Sequence, residues 1–384
     1  MEGPALEVGT ITEWQGLIRL RPAWNALLEE AGVDHPFLTH EWVRTWWECF
    51  GAGHELHVLV VKEGERPIAI VPLMRSKGRL YGLRVRRLEF IGNDHTQRSD
   101  VIAGPRSREA YRTIWRTLLR HKALWDVLVL SRLPADSPTL AALTTLAQES
   151  GYLTGVWPSA EAPYIPIEGS WDDYFRRLAP KLRANLRRRG KRLQQRGEVR
   201  MEVVDSGPDI AAALEEGLRI EAAGWKGRAG TAVVADEATH RFYALLARRT
   251  AQRGWLRLHF LSVGGRRIAF DYSLFYAGKA YLLKPAYDPE FAACSPYSQL
   301  LVRVLQDHFD RGAKEFDFLG REDAWKLDWA TRTRPQAWLY VMPDSWRMRL
   351  LRFAKFGIGP RLKRHRLIVV ARDAVRAVAA TWTS

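Results

Sequence analysis

Apolar and polar positions along the chain form two stretches that resemble each other. Leu56-His-Val-Leu-Val-Val61, a short turn and Arg66-Pro-Ile-Ala-Ile70 make the first; Leu258-His-Phe-Leu-Ser-Val263, Gly264-Gly265 and Arg266-Arg-Ile-Ala-Phe270 make the second. Each predicts a hairpin, two β-rich runs joined at a turn. A helix and then a strand follow at similar spacing in both: Arg108 to Lys122 before Trp125-Asp-Val-Leu-Val-Leu130, and Ser298 to Arg311 before Glu315-Phe-Asp-Phe-Leu319. The repetition predicts two α/β domains of one type, a mixed sheet flanked by helices in each, rather than one long sheet. Residues 151–166 contain glycine, three prolines and little periodicity, and mark the expected boundary. The expected division is 1–155, 156–343 and an extension at 344–384.

Two segments keep a helical period instead. Ser170 with Asp173 reads as a helix cap, Pro180 breaks or restarts the helix, and Leu178, Leu182, Leu186 and Leu193 share one face up to Arg196. Near the end, Trp346, Leu350, Phe353 and Phe356 alternate with Arg347, Arg349, Arg352 and Lys355; Gly357 to Pro360 interrupts, and Arg361 to Trp382 resumes the mixture. A basic amphipathic extension of this kind docks on its own protein or lies on an anionic leaflet.

These two segments also explain the charge. The 384 residues hold 59 Lys and Arg against 43 Asp and Glu, a net +16. Residues 176–196 contribute +10 and residues 345–384 contribute +9, so the other 323 residues sum to −3. The nucleic-acid reading that a uniformly basic chain invites therefore weakens. The basic helix around Lys181, Arg183 and Arg187 reads as a solvated face, as a grip on an anionic substrate, or least readily as a nucleic-acid contact. Two cysteines, Cys49 and Cys294, exclude a disulfide framework and a Cys-rich metal site. The apolar runs are far short of the roughly 20 residues of a membrane span, and the start lacks a basic stretch before an apolar one. The expected location is cytoplasmic, peripheral at the inner face of the membrane if the extension touches lipid. No metal-ligand spacing, phosphate-binding glycine loop, dinucleotide fingerprint or nucleophile elbow occurs, and no metal is expected.

Chemistry concentrates between Arg267 and Trp329. The order is strand, turn, strand, loop, helix, strand, short helix. Cys294-Ser-Pro-Tyr-Ser-Gln299 runs straight into a helix start, whose unpaired N–H groups suit a phosphate and equally suit a plain structural start. Asp271, between Phe270 and Tyr272, and Asp317, between Phe316 and Phe318, are acids in apolar strands, each explained by a structural salt bridge or by a catalytic role. Asp288 and Glu322 sit in loops, Tyr287 ends a strand just before the loop, and Cys294 reads as inert.

The strand–strand–loop–helix–strand order resembles the acyl-CoA-binding core of the GNAT acyltransferases. The chain as a whole resembles the tandem-GNAT cellulose-biosynthesis (CelD/BcsL-type) acetyltransferases. The matching pieces are His35-Pro-Phe-Leu-Thr-His-Glu-Trp42, Ile68-Ala-Ile-Val-Pro-Leu73, Ser99-Asp-Val-Ile-Ala-Gly104, Leu178-Ala-Pro-Lys-Leu-Arg-Ala-Asn-Leu-Arg187, Ala286-Tyr-Asp288, Ser295-Pro296 with Leu300-Leu301, and Phe316-Asp-Phe-Leu-Gly320 with Trp325-Lys326. The resemblance implies two GNAT-like domains, the first degenerate and the second keeping an acyl-CoA site at Ser295, Pro296, Tyr297, Ser298 and Gln299. Tyr297 stands where the family has glycine, and Trp325 where it often has tyrosine.

Acyl transfer from a thioester to an amine needs a base, N–H donors for the oxyanion and an acid for the thiolate. Asp271, Tyr287, Asp317, Glu322 and Lys326 are the candidates for these roles, with Lys326 able to pair Asp317 or an anionic substrate. Lys181, Arg183, Arg187 and Lys284 are the candidate substrate contacts. The expected activity is acyl-CoA-dependent N-acylation of an amine on a cell-envelope polysaccharide, amino-sugar or lipid precursor. The alternatives are a Fem-type aminoacyl-tRNA-dependent ligase and a non-catalytic subunit of an envelope assembly.

Overall fold

The computed structural model describes residues 6–358. Both predicted hairpins form. In the first half, Val58–Glu63 pairs antiparallel with Arg66–Val71. Pro72 then interrupts the strand, because proline offers no N–H to a ladder. Its continuation, Leu73–Leu80, belongs to a second sheet and pairs with Leu83–Phe90. In the second half no proline intervenes, and Arg266–Tyr276 runs unbroken between Leu256–Val263 and Lys279–Tyr287.

The same unit then appears twice. A hairpin is followed by a helix, and the helix returns the chain to a strand parallel to the hairpin's second arm. Ser107–Arg120 connects Leu83–Phe90 to Val127–Pro134. Pro296–Asp310 connects Lys279–Tyr287 to Glu315–Asp317. The first half builds a four-stranded and a six-stranded sheet, and the second a seven-stranded one.

The expected linker is ordered strand. Leu153–Pro158 joins the six-stranded sheet, and Ala162–Pro166 joins the seven-stranded sheet between Glu315–Asp317 and Arg332–Arg334. The strand Gln336–Met342, assigned by sequence to the C-terminal domain, lies between Val127–Pro134 and Leu153–Pro158 of the first half. A division at 155/156 therefore cuts through a strand, and the halves exchange elements. Proline-rich composition hid this, since Pro158, Pro163 and Pro166 sit at positions these short strands tolerate.

A shared core holds the halves together. Helix His40–Phe50 packs on helix Glu237–Ala251. Trp42 meets Phe242 edge-on at 5.3 Å, and Phe37 meets Tyr281 at 6.0 Å. Burying side chains of this size is worth about 2–3 kcal/mol each. At the rim of this contact, Arg249 pairs with Glu48 at 2.6 Å.

The basic helix forms as two pieces. The Ser170 hydroxyl accepts from the Asp173 N–H and starts Trp171–Arg177; Pro180 starts Pro180–Gln194. Leu186 and Leu193 turn inward, as the leucine spacing requires. At the C-terminal end, Trp346–Arg352 docks through Met348 and Leu351, and Phe356 packs on Trp157 and Tyr340. The rest of the expected extension, 359–384, lies outside the described residues.

Candidate active site

Lys279–Tyr287 and Glu315–Asp317 are paired only from Lys279↔Glu315 to Tyr281↔Asp317. Beyond that point the parallel ladder ends and the strands part. The register with Arg266–Tyr276 also slips there: Tyr272 opposes Lys284 while Ser273 opposes Leu282, which leaves Leu283 as an extra residue. A bulge of this kind bends a strand and re-aims its side chains. The parted strands open a cavity of about 690 Å³. Leu282 to Tyr287 form one wall, Phe318 to Gly320 the other, and Ser295, Tyr297 and Ser298 the end at the helix start.

The helix start is shaped by Ser295, a non-glycine residue in the left-handed region with φ 47° and ψ 60°. It turns the chain from the 3₁₀ segment Pro289–Cys294 into helix Pro296–Asp310. First-turn N–H groups and the positive dipole end thus lie at the cavity. Arg189, on the basic helix, donates to the Ser295 hydroxyl. The helices approach closely because residue 190 is glycine: a Cβ there would lie 2.9 Å from Gln299 Oε1. Gln299 donates to the Leu186 carbonyl at 2.9 Å, so this expected cofactor contact braces the two helices instead. Pro296 is buried, and the neighbouring Cys294 is a core residue. Tyr297, standing where glycine was expected, sends its ring into the core, where its hydroxyl donates to Asp271 at 3.2 Å. Burial, reinforced by the Asp271 charge, pushes the Tyr297 phenol well up, so it remains a donor at neutral pH.

The expected carboxylates are placed away from the cavity. Asp271 is 0% exposed and also accepts from the Ser273 hydroxyl, with His259 Nδ1 at 3.7 Å. Asp317 is 0% exposed too; Arg98 of the first half donates to it, Arg334 pairs with it at 2.9 Å, and the Leu319 N–H donates at 2.8 Å. Neither lines the cavity, and of the two roles weighed for Asp317 the salt bridge is the one built. Asp288 caps the 3₁₀ segment by accepting from the Glu290 N–H at 3.0 Å. Glu322 is exposed and outside the cavity, whereas its neighbour Asp323 lines it. Lys326 pairs with Asp323 at 2.9 Å rather than with Asp317, and donates to the Leu319 carbonyl at 3.0 Å. It lines the cavity, as does Tyr287, which is 39% exposed.

Of the expected substrate contacts, Lys284 alone lines the cavity, with its ammonium 5.0 Å from the Tyr243 ring centre. Lys181 and Arg187 are exposed, and Arg187 stacks on Phe175 at 6.0 Å. Arg183 donates to the Leu178 carbonyl at 3.1 Å.

The sequence reading missed what the first half contributes. Asp94, His95 and Gln97 line the same cavity, together with Tyr243, Glu221 and Arg228 of the second half. His95 packs in one cluster with Phe50 and Phe242, near-parallel to each ring at 5.8 and 5.9 Å, with its Nδ1 3.2 Å from the Tyr243 hydroxyl and its Nε2 3.5 Å from Thr239 Oγ1. Burial, followed by the nearby Lys284 charge, lowers its pKa to about 4, so the imidazole is neutral at pH 7. The local signal was only a polar run, Asn93-Asp-His-Thr-Gln97, remote in sequence from everything it faces. Among the described residues no group of His, Cys, Asp and Glu is arranged to hold a metal ion.

Residues 180–327, which hold the Arg189 helix, Lys326 and the second half's share of the cavity lining, match the family model described as Acetyltransferase (GNAT) domain. No curated protein matches the chain by sequence. Among solved structures, the one titled FemX superposes with a TM-score of 0.56 at 12% identity, over 87% of this chain and 96% of its own. A C-terminal domain (DUF2156) assigned to a lysylphosphatidylglycerol synthetase from Agrobacterium fabrum superposes with a TM-score of 0.52 at 14% identity, over 85% and 92%. A tandem GNAT protein from the clavulanic acid biosynthesis pathway is also similar, with a TM-score of 0.48 at 13% identity, over 89% and 100%. The repeated hairpin–helix–strand unit makes the first half GNAT-like as well. The chain is an acyltransferase with two GNAT-like halves in tandem, the second of them an acetyltransferase (GNAT) domain.

Proposed function

We propose that the chain transfers an acyl group from acyl-CoA to an amine of a cell-envelope polysaccharide, amino-sugar or lipid precursor, in the manner of the cellulose-biosynthesis acetyltransferases it resembles. The carrying observation is the cavity where parting strands meet a helix start. Ser295, Ser298 and the first-turn N–H groups would hold the pyrophosphate of the donor, with Arg189 adding positive charge. The turned-in ring of Tyr297 supports this, because it leaves the backbone at the helix start open despite the missing glycine.

The acceptor would enter between the halves, past Asp94 and Gln97 of the first. Its proton must leave before attack. Tyr243 and His95 both line the cavity and share a hydrogen bond, a path along which it could be relayed. Tyr287 is the cavity phenol available to protonate the leaving thiolate.

The test is thermal unfolding with acetyl-CoA and longer acyl-CoAs. A ligand at a hundredfold excess over its Kd stabilises by about 2.7 kcal/mol. The double variant Ser295→Asp, Ser298→Asp should lose that stabilisation and keep its unliganded Tm. An unchanged shift in the variant refutes the placement of the pyrophosphate. A second reading, Fem-type aminoacyl-tRNA-dependent ligation, draws on the exposed row Lys181, Arg187, Arg188, Lys191 and Arg192, which suits a phosphate backbone. Stabilisation by charged tRNA with none by any acyl-CoA would select it.

A further inference from the structure

Among the described residues, the four most exposed large hydrophobic side chains are Trp346 at 75%, Phe353 at 62%, Leu350 at 60% and Tyr81 at 54%. They come from two elements. Trp346, Leu350 and Phe353 are spaced four and three apart, so they form one stripe along Trp346–Arg352 and its continuation. Met348 and Leu351 hold the opposite side of that helix to the protein. Tyr81 is at the tip of the hairpin Leu73–Leu80/Leu83–Phe90, where it and Gly82 take positive φ. The two elements adjoin: Leu80 and Leu83 pack into the same small core as Met348, Leu351 and Phe356, and Lys355 lies 5.9 Å from the Tyr81 ring centre.

Arginines surround the exposed rings. Arg79 and Arg84 flank the hairpin tip, and Arg347, Arg349 and Arg352 alternate with the stripe, all exposed. Asp344, paired to Arg349 at 2.5 Å, is the acid of this stretch. Isolated exposed apolar residues need no explanation, but a patch of aromatic and aliphatic side chains rimmed by one sign of charge marks a docking surface. The remaining chain is a poor cover for it. Residues 359–384 carry Arg361, Lys363, Arg364, Arg366, Arg372 and Arg376 against Asp373, so they would bring like charge to a basic face. A second copy would do the same.

We propose that the hairpin tip at Tyr81 and the stripe Trp346–Leu350–Phe353 together dock the protein on an anionic lipid bilayer. The rings insert at headgroup level, where amphipathic aromatic side chains are favoured, and the arginines meet lipid phosphates. No helix among the described residues is long and apolar enough to cross a membrane, so contact through this face would be interfacial. The proposal is independent of the acyl-transfer reading, since it concerns the six-stranded sheet and not the cavity.

The experiment is co-sedimentation of the full chain with phosphatidylglycerol/phosphatidylcholine vesicles and with phosphatidylcholine vesicles alone. Binding to the anionic vesicles that weakens as salt is raised, and little binding to the neutral ones, is the expected result. The triple variant Trp346→Ser, Leu350→Ser, Phe353→Ser should keep the wild-type Tm and bind at least roughly tenfold more weakly. Tyr81→Ser, on the other element, should weaken binding by a smaller factor. Full binding by the triple variant would overturn the proposal by assigning attachment to charge elsewhere. Absence of wild-type binding would also overturn it. So would a wild-type dimer that the triple variant abolishes, which would give the face to a second copy.

Discussion

The two halves repeat one topology and use it in opposite ways. In each, a hairpin arm and a parallel strand share three register pairs: Arg87↔Val127 to Glu89↔Val129 in the first, and Lys279↔Glu315 to Tyr281↔Asp317 in the second. The connection from hairpin to helix differs. It is residues 288–295 in the second half and residues 91–106, twice as long, in the first. The long connection fills the first half's own opening: the Ser99 N–H donates to the Arg132 carbonyl at 3.1 Å, and Asp94 pairs with Arg132 at 2.7 Å. About 150 Å³ remains there, against about 690 Å³ in the second half. The same segment sends His95 into the second half's cavity and Arg98 to Asp317. The first half has thus closed its own opening and become a wall and a clamp for its partner's.

The clamp should give the largest effect. Arg98 and Asp317 are buried ions that satisfy each other across the halves, with Arg334 as a third member. Removing one member strands charge in a dry interior, at a cost of about 3–5 kcal/mol. Asp317→Ala should lose stability of this order in urea, seen as a lower midpoint. Unchanged stability with abolished turnover would return Asp317 to the role of a catalytic base and break the division of labour between the halves.

The wall should matter next, through rate rather than stability. General acid–base groups typically contribute 10²- to 10⁴-fold. His95→Gln should lower kcat/KM by at least about a hundredfold, remove an ionisation from the pH–rate profile and leave Tm close to that of the wild type. If kcat/KM is unchanged, the first half contributes shape alone and the base belongs to the second half.

The asymmetry also explains what could be read from sequence. The repeat, the helix restart at Pro180 and the helix start at Ser295 are local patterns, and each appears within a residue or two of its expected place. Alternation correctly set Asp271 opposite to Phe270 and Tyr272. It could not show whether that face met a cavity or a core, because the deciding partner, Tyr297, is 26 residues away. Asp317 was still less legible, since Arg98 lies 219 residues away on the other half. His95 had only a polar run as a local signal, and the exchange of Gln336–Met342 into the first sheet leaves none: a strand's pattern says which face is buried, not which sheet it joins.

A smaller effect compares the halves with each other directly. Each buries a histidine away from the cavity: His57 in the first, beside His121, and His308 in the second, stacked on Phe275 at 5.7 Å. Burial holds both neutral, with pKa values lowered from 6.5 to about 4. The unfolded chain takes up protons at these sites as pH falls through 6.5, and the folded chain does not until about pH 4. Stability from these groups is therefore complete above about pH 6.5 and is lost progressively toward pH 4. At pH 5.5 each histidine should account for roughly 1 kcal/mol of the loss. His57→Gln and His308→Gln should each flatten the fall in unfolding free energy between pH 7 and 5.5, measured by urea titration, by roughly 1 kcal/mol, whatever they do to stability at pH 7. Equal flattening would mean that the halves unfold as one unit, as their shared core of Trp42, Phe242 and Tyr281 requires. A flattening confined to one variant would separate them.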